Sequence, residues 1–170
     1  MAALQRALDR LARGDPTLTE LDLSLLDLFD GGSDAEVQRL ATALVGNSTL
    51  TYLDLGDNSI GAEGARALAE MLPGNATLTT LYLGWNSIGP EGARALAELL
   101  PGNSTLKALD LYGNSIGAEG ARALAEMLAG NSTLTTLDLS DNFIGAYPES
   151  FSVPASEEAH KGTARRRCQS

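Results

Sequence analysis

Histidine and cysteine are almost absent from this chain of 170 residues, which has one of each. His160 and Cys168 both lie close to the C-terminus, so the rest of the chain has no imidazole for general-base catalysis and no thiolate to bind zinc. A single cysteine also excludes an intramolecular disulfide and a CxxC motif, which favours a reducing compartment. These absences argue against most zinc sites and much hydrolase chemistry.

Long hydrophobic runs are also missing. Apolar stretches are interrupted every few positions and never approach the roughly 18 residues that a membrane helix needs. Arg6, Asp9 and Arg10 prevent the first ten residues from forming the apolar core of a signal peptide. We therefore expect a soluble, cytoplasmic protein that does not associate with a membrane.

Basic and aromatic residues are scarce. The chain has 12 Lys and Arg against 22 Asp and Glu, a net charge of −10, and only 5% of its residues are aromatic. Residues 1–148 are more acidic still, with a net charge of −11 from eight basic and nineteen acidic residues. Such a surface repels phosphate, which argues against binding to nucleic acid.

What the chain does contain is a tandem repeat. Nearly identical segments begin at Leu50, Leu78, Leu106 and Leu134, at steps of 28 residues, and the first two differ at only six positions. An irregular copy begins at Leu18 and takes 32 residues to reach Leu50. Residues 2–17, with leucines at helical spacing, predict the helical half of a preceding repeat.

Each repeat changes its hydrophobic period at its middle. Leu81 and Leu83 alternate with outward-facing residues, as in a short strand, whereas Ala93, Leu96 and Leu100 form one helical stripe. Neither half can bury its apolar face alone, so consecutive repeats must stack. The predicted fold is a curved α/β solenoid with a parallel β-sheet on its concave face and α-helices on its convex face.

The pattern LxxLxLxxNxIG resembles the leucine-rich repeat, and the 28-residue length with the helix GAEGARALAEML is similar to the ribonuclease-inhibitor-like subclass. That subclass includes the repeats of NOD-like receptors and Ran GTPase-activating proteins. The resemblance implies a repeat domain over residues 1–148, which binds other proteins. It also implies two alternatives, a regulator of a small GTPase and a fragment of a NOD-like receptor sensor region. No helical pattern follows Gly145, and we expect residues 149–170 to be a disordered tail.

Several recurring residues are expected to serve the fold. Asn58, Asn86, Asn114 and Asn142 predict a ladder of turn-stabilising side chains. Four N-x-S/T sequons, which begin at Asn47, Asn75, Asn103 and Asn131, follow a helix-ending glycine and predict turns rather than glycosylation sites. The glycines at the helix starts, such as Gly64 and Gly92, predict close packing of each helix against a strand. The glutamates and arginines repeated along each helix predict a solvated convex face.

The concave face changes from repeat to repeat, whereas the helix charges do not. Most differences between the copies that begin at Leu50, Leu78 and Leu106 fall on or just after the outward side of the strand, which indicates recognition. The candidate partner-binding residues are Glu20, Asp22, Tyr52, Asp54, Tyr82, Trp85, Asp110, Tyr112, Asp138 and Asp141.

Carboxylates interleaved with aromatic rings suit a partner that presents lysine or arginine, so the predicted partner is a basic protein surface or peptide. Trp85 and Tyr112 are the expected anchors of such an interface. Neighbouring aspartates on adjacent strands could also bind calcium or share a proton. An open sheet lacks the enclosing pocket that catalysis needs, so we expect no enzymatic activity, no cofactor and no metal site.

Overall fold

The computed structural model describes residues 2–26 and 35–145, which alternate between helices and short strands. The predicted tail, the end of the predicted 1–148 domain, and both His160 and Cys168 lie outside the described residues. The elements in chain order are α1 (Ala2–Ala12), β1 (Glu20–Asp22), α2 (Ala35–Leu44), β2 (Tyr52–Asp54), α3 (Ala62–Met71), β3 (Thr80–Tyr82), α4 (Gly89–Leu99), β4 (Ala108–Asp110), α5 (Gly117–Gly130) and β5 (Thr136–Asp138).

The strands form one parallel sheet in the order β1-β2-β3-β4-β5, so every strand pairs with its sequence neighbours. Equivalent residues of successive repeats lie side by side: Leu53 pairs with Leu81, and Leu81 pairs with Leu109. These central leucines point towards the helices and are buried. The predicted solenoid with helices on one face of a parallel sheet is confirmed.

The hydrophobic core runs along the whole stack. Leucines from the three central strands and from the inner stripe of each helix are buried, together with Ile60, Ile88 and Ile116 from the strand-to-helix loops, and Leu21 and Leu137 of the two edge strands are partly buried. Because every repeat buries its apolar side against the next, the five repeats share a single core.

Proline sets where two of the helices end. Pro73 and Pro101 stand in short 3₁₀ turns, Leu72–Gly74 and Leu100–Gly102, that follow α3 and α4. Proline has no N–H to continue the α-helical bonding pattern. In the next repeat Ala129 stands at this position, and α5 continues as an α-helix to Gly130.

The predicted asparagine ladder is present. Asn86 Oδ1 accepts the backbone N–H groups of Asn58 at 3.2 Å and Ile60 at 2.8 Å, and its Nδ2 donates to Leu55 O at 3.0 Å. Asn114 and Asn142 make equivalent bonds to the repeat before each of them. The ladder joins consecutive turns through buried side chains.

The sequon asparagines form a second ladder at the opposite edge of the sheet. Asn75 Nδ2 donates to Leu44 O at 2.9 Å, and Asn75 Oδ1 accepts the Leu78 N–H at 2.8 Å. Asn103 repeats both contacts one repeat later. Because Asn75 and Asn103 are buried, their role in the turns is confirmed and their amides are inaccessible for glycosylation in the folded protein.

The glycines inside the helices have a different role from the one predicted. A Cβ on Gly92 would lie 2.6 Å from Ile88 Cγ2 and 3.0 Å from Ala65 Cβ, and Gly120 has the same relationship to Ala93. The predicted packing of these glycines against the strand is therefore wrong: they allow each helix to approach the preceding helix. Their spacing on the helix did not show which neighbour they face.

The convex face is solvated and charged, as predicted. Glu63 and Arg66 form an ion pair at 3.8 Å within α3, and Arg94 of α4 reaches Glu119 of α5 at 3.4 Å. The two glutamates are largely exposed and the two arginines are about half exposed, so these pairs contribute little to stability. Among the described residues, no helix is long and apolar enough to span a membrane.

Candidate functional site

The concave face, the surface of the sheet that points away from the helices, presents one continuous row of side chains. The strand register aligns the last residue of every strand across the sheet. The row comprises Asp22, Asp54, Tyr82, Asp110 and Asp138. The structure thus brings together the acidic row that the sequence predicted, with one tyrosine at its centre.

The aspartates of this row have a structural role that the sequence analysis missed. Asp54 Oδ1 accepts the Gly56 N–H at 2.9 Å, and Asp110 Oδ1 accepts the Tyr112 N–H at 2.9 Å. Asp22 and Asp138 bond the residue two positions later in the same way. One carboxylate oxygen of each therefore closes the turn after its strand. The D-x-[GYS] spacing was the signal that could have revealed this role.

Asp110 is a partly buried member of the row. Burial raises the pKa of its carboxyl above the ordinary value, and the charges of Asp138 on the adjacent strand β5 and of Asp54 on β2, two strands away, raise it further. The hydrogen bond from the Tyr112 N–H opposes this rise in pKa. The row therefore concentrates negative charge where a positive group from a partner would relieve it.

Two tyrosines cover the N-terminal part of the concave face. The rings of Tyr52 and Tyr82 lie 5.4 Å apart between centroids at an interplanar angle of 45°. Burial, together with the charge of Asp54, raises the pKa of the Tyr52 phenol. Glu20 is exposed and pairs with Tyr52 across β1 and β2, so this corner combines aromatic surface with acidic charge.

The remaining predicted residues form a separate group just beyond the ends of the strands, which we call the ledge: Trp85, Tyr112 and Asp141. The rings of Trp85 and Tyr112 meet edge to face, with centroids 4.9 Å apart and an interplanar angle of 70°. The Tyr112 hydroxyl donates to Asp141 Oδ2, and this hydrogen bond raises the pKa of the phenol. The ledge adjoins the acidic row along the loops that lead into the helices.

A shared backbone conformation underlies the ledge. Trp85 has a φ of +55°, and its counterparts in the other repeats also have a positive φ, between +54° and +63°. These counterparts are Leu25, Asp57, Gly113 and Asp141. Glycine and aspartate tolerate this left-handed conformation, whereas tryptophan and leucine rarely adopt it.

Asp57 and Gly113, the counterparts of Trp85 in the neighbouring repeats, are not among the binding residues that the sequence predicts. Alignment of the repeats could have placed both beside Trp85, although it could not show the positive φ. Exposed apolar side chains at Leu25 and Phe143 were also missed. Phe143 replaces the serine of three earlier repeats, which was the available signal.

The arrangement offers a broad surface for binding. Within residues 2–26 and 35–145, no three His, Cys, Asp or Glu side chains are grouped so that they could hold a metal ion. Tyr82 separates the pair Asp22 and Asp54 from the pair Asp110 and Asp138. The chemistry available is hydrogen bonding by carboxylates and phenols and packing against aromatic rings.

Comparison with solved structures finds relatives with the same architecture. "Leiomodin-1 Actin-Binding Site 2 (ABS2)" superposes with a TM-score of 0.73 at 28% sequence identity, over 79% of this chain and 77% of that one. The C-terminal domain of tropomodulin from Caenorhabditis elegans superposes with a TM-score of 0.69 at 17% identity, over 79% of this chain and 80% of that one. At this lower identity, the second similarity concerns the fold alone. No curated protein sequence matches the chain.

Comparison with known families matches the repeats themselves. The "Leucine Rich repeat" family matches residues 46–69, 74–97, 102–125 and 130–146, which together make up just over half of the chain. The matched segments begin at residue 46 and include the sequon turns, the strands β2 to β5 and most of the helices α3 to α5. The chain belongs to the leucine-rich-repeat family.

Proposed function

We propose that this chain is a non-enzymatic interaction domain that holds a basic protein surface or peptide on its concave face. The observation that carries the proposal is the strand register, which places four aspartates in one row with tyrosines on the same face. Aligned charges of one sign repel each other until a partner of opposite sign binds, which favours complementary association.

Charge on the concave face is available to a partner even though the aspartates also serve the turns. Each aspartate accepts its backbone N–H through Oδ1. The side chains remain accessible to solvent, since Asp22 is exposed and Asp54, Asp110 and Asp138 are partly exposed. Tyr82 and Trp85 add exposed aromatic area of the kind that anchors interfaces.

Substitution of aspartate by asparagine removes the negative charge but keeps the hydrogen bond of the turn, because the asparagine Oδ1 still accepts the turn N–H. We expect the double variant Asp54→Asn/Asp138→Asn to keep its fold and to lose most of the proteins that the wild-type domain captures from a cell extract. Captured proteins would then be identified, purified and titrated by calorimetry at low and high salt. Binding should weaken as salt increases.

The matched control is Glu98→Gln/Glu126→Gln, which removes the same charge from the exposed helix face. It should capture the same proteins as the wild type. Equal losses from both double variants would show that overall charge, and not the concave face, determines binding. Equal retention by both would refute the acidic row as the binding surface.

Actin is a second candidate partner. The similarity to leiomodin-1 actin-binding site 2, at 28% identity over most of both chains, favours it. Co-sedimentation with actin filaments and fluorescence titration with monomeric actin would test it directly. If both double variants still bind actin, actin binds a surface other than the acidic row. If the wild-type domain binds neither filaments nor monomeric actin, actin is excluded as a candidate.

The alternatives implied by the ribonuclease-inhibitor-like resemblance stay predictions, as does the cytoplasmic location. A single-turnover GTP hydrolysis assay with Ran tests whether the chain regulates a small GTPase, and an unchanged rate of hydrolysis would dismiss this alternative. Transcript sequencing across both ends tests whether the chain is a fragment of a NOD-like receptor sensor region, since such a receptor requires an upstream nucleotide-binding domain.

A further inference from the structure

We propose that the ledge is a guanidinium site: it binds an arginine side chain of the partner on the exposed indole of Trp85, between the carboxylates of Asp57 and Asp141. This inference rests on the proposed function and specifies which basic residue the partner presents and where it binds. It follows from the backbone of Trp85, the packing of its ring and the charges on either side.

The backbone of Trp85 indicates that the side chain is not there for stability. A left-handed φ strains the backbone of a bulky residue but not that of glycine. The residue is nevertheless 56% exposed, so burial of the indole compensates only in part. Equivalent positions one repeat away on either side carry Asp57 and Gly113, which tolerate this conformation. A strained, exposed tryptophan amid tolerant residues is typical of a binding site.

The packing of the indole leaves a surface for a planar ligand. A Cβ on Gly113 would lie 3.0 Å from Trp85 Cε3, 3.3 Å from Cδ2 and 3.4 Å from Cζ3, so these adjoining ring atoms lie against the Gly113 backbone. Tyr112 holds the ring from another side in the edge-to-face contact. The ring is therefore fixed on two sides while the rest remains open to solvent.

Acidic residues lie on both sides of Trp85 in the row of left-handed residues, Asp57 one repeat before it and Asp141 two repeats after it. The Asp57 N–H donates to Gly84 O, directly before Trp85, and the Gly113 N–H donates to Ser140 O, directly before Asp141. Asp141 Oδ2 accepts the Tyr112 hydroxyl, and among the described residues its Oδ1 has no donor. A cation on the indole would thus have acidic groups on both sides.

Arginine fits this arrangement better than lysine. Its planar guanidinium stacks on an aromatic face while its N–H groups bond carboxylates in the same plane, and it loses water more readily than an ammonium group. A lysine ammonium could pair with the carboxylates but has no planar group to stack on the indole. The ledge should therefore discriminate between two peptides of equal charge.

The test compares two fluorescein-labelled peptides, one of alternating arginine and glycine and one of alternating lysine and glycine, of the same length. Affinities are measured by fluorescence anisotropy, and Trp85, the only tryptophan of the chain, reports contact through its own emission. We expect the wild-type domain to bind the arginine peptide about fivefold to tenfold more tightly and the emission of Trp85 to change with this peptide.

Two variants locate the preference. Trp85→Leu introduces a residue that Leu25 already places in this conformation, and Asp141→Asn keeps the acceptor for Tyr112. Each should reduce the arginine preference to about twofold or less, because each removes one half of the site. Glu98→Gln, which removes one charge from the convex face, should leave the preference unchanged. Thermal melts confirm that each variant is folded.

The outcomes separate this inference from the proposed function. If both peptides bind equally and both lose affinity in Asp54→Asn/Asp138→Asn, the concave face binds basic partners and the guanidinium site is refuted. If the arginine preference persists in Trp85→Leu and Asp141→Asn, the site lies elsewhere and the inference is also refuted. If neither peptide binds, both this inference and the basic-partner proposal fail.

Discussion

Gly92 of α4 lies so close to Ala65 of α3 that a methyl group on the glycine would be 3.0 Å from the alanine Cβ. The same group would lie 3.2 Å from the Cα of Ala62 and 2.6 Å from the buried Ile88. Backbone and core atoms cannot yield as an exposed side chain can. The spacing between neighbouring helices, and through it the stacking of repeats, therefore depends on a missing side chain.

The variant Gly92→Ala should lower the free energy of unfolding by about 1–2 kcal/mol. Alanine within a helix normally stabilises by up to about 1 kcal/mol over glycine, but overpacking here costs about 1–3 kcal/mol. Urea denaturation measures the difference. Gly130→Ala is the control: a Cβ at this position, at the end of α5, would have no neighbouring atom within 4 Å, so the substitution should be neutral or slightly stabilising. Similar results for the two variants would contradict the close helix contact.

Asn86→Ala should be among the most destabilising single substitutions. It removes the acceptor for the N–H groups of Asn58 and Ile60 and the donor to Leu55 O, in a buried position. Unsatisfied buried groups cost about 1–3 kcal/mol each, so we expect a loss of about 3 kcal/mol or more in urea denaturation. Asn47→Ala, at a half-buried turn, should cost about 1 kcal/mol. Equal losses of unfolding free energy in the two variants would contradict a larger contribution of the buried ladder to stability.

Asp110→Asn should stabilise the protein at neutral pH. Because burial and nearby charge raise the pKa of Asp110, the folded state binds this proton more tightly than the unfolded chain does. Stability from this group is therefore lost as pH rises from the ordinary value of 3.8 through the higher folded pKa. We expect a Tm about 2 °C above that of the wild type at pH 7, with the difference vanishing below pH 3.8. Calorimetry across this range tests the sign. Glu98→Gln is the control, and a difference that persists at low pH would contradict the explanation.

Trp85→Asn should leave the stability of the fold nearly unchanged, within about 1 kcal/mol, because asparagine relieves the backbone strain while the indole contacts are lost. Thermal and urea denaturation measure this effect. Tyr82→Asn, at a strand position with no left-handed backbone, serves as the comparison and should cost more. A large loss of stability in Trp85→Asn would mean that the indole serves the fold, which would remove the argument from strain.

Much of the candidate site could be predicted from the sequence because the repeat aligns it. Equivalent residues of successive repeats, 28 positions apart or 32 in the irregular first repeat, must lie side by side in a stacked parallel sheet, so the row from Asp22 to Asp138 followed from the alignment of the repeats. The turn bonds of these aspartates and the ledge could not be predicted in the same way. They depend on backbone angles that residue type does not specify, as the same left-handed φ at Asp57, Trp85 and Leu25 shows.

By itself, the sequence determined the fold and the order of the strands, because only stacking of like repeats can bury the leucines of both halves. It also determined which residues share the concave face. The tertiary structure decided which neighbour Gly92 packs against, that Asp110 is partly buried, and that the ring of Trp85 lies against Gly113. These relationships depend on differences of a few tenths of an ångström in the distances between repeats, which close packing determines and a pattern of residues does not contain.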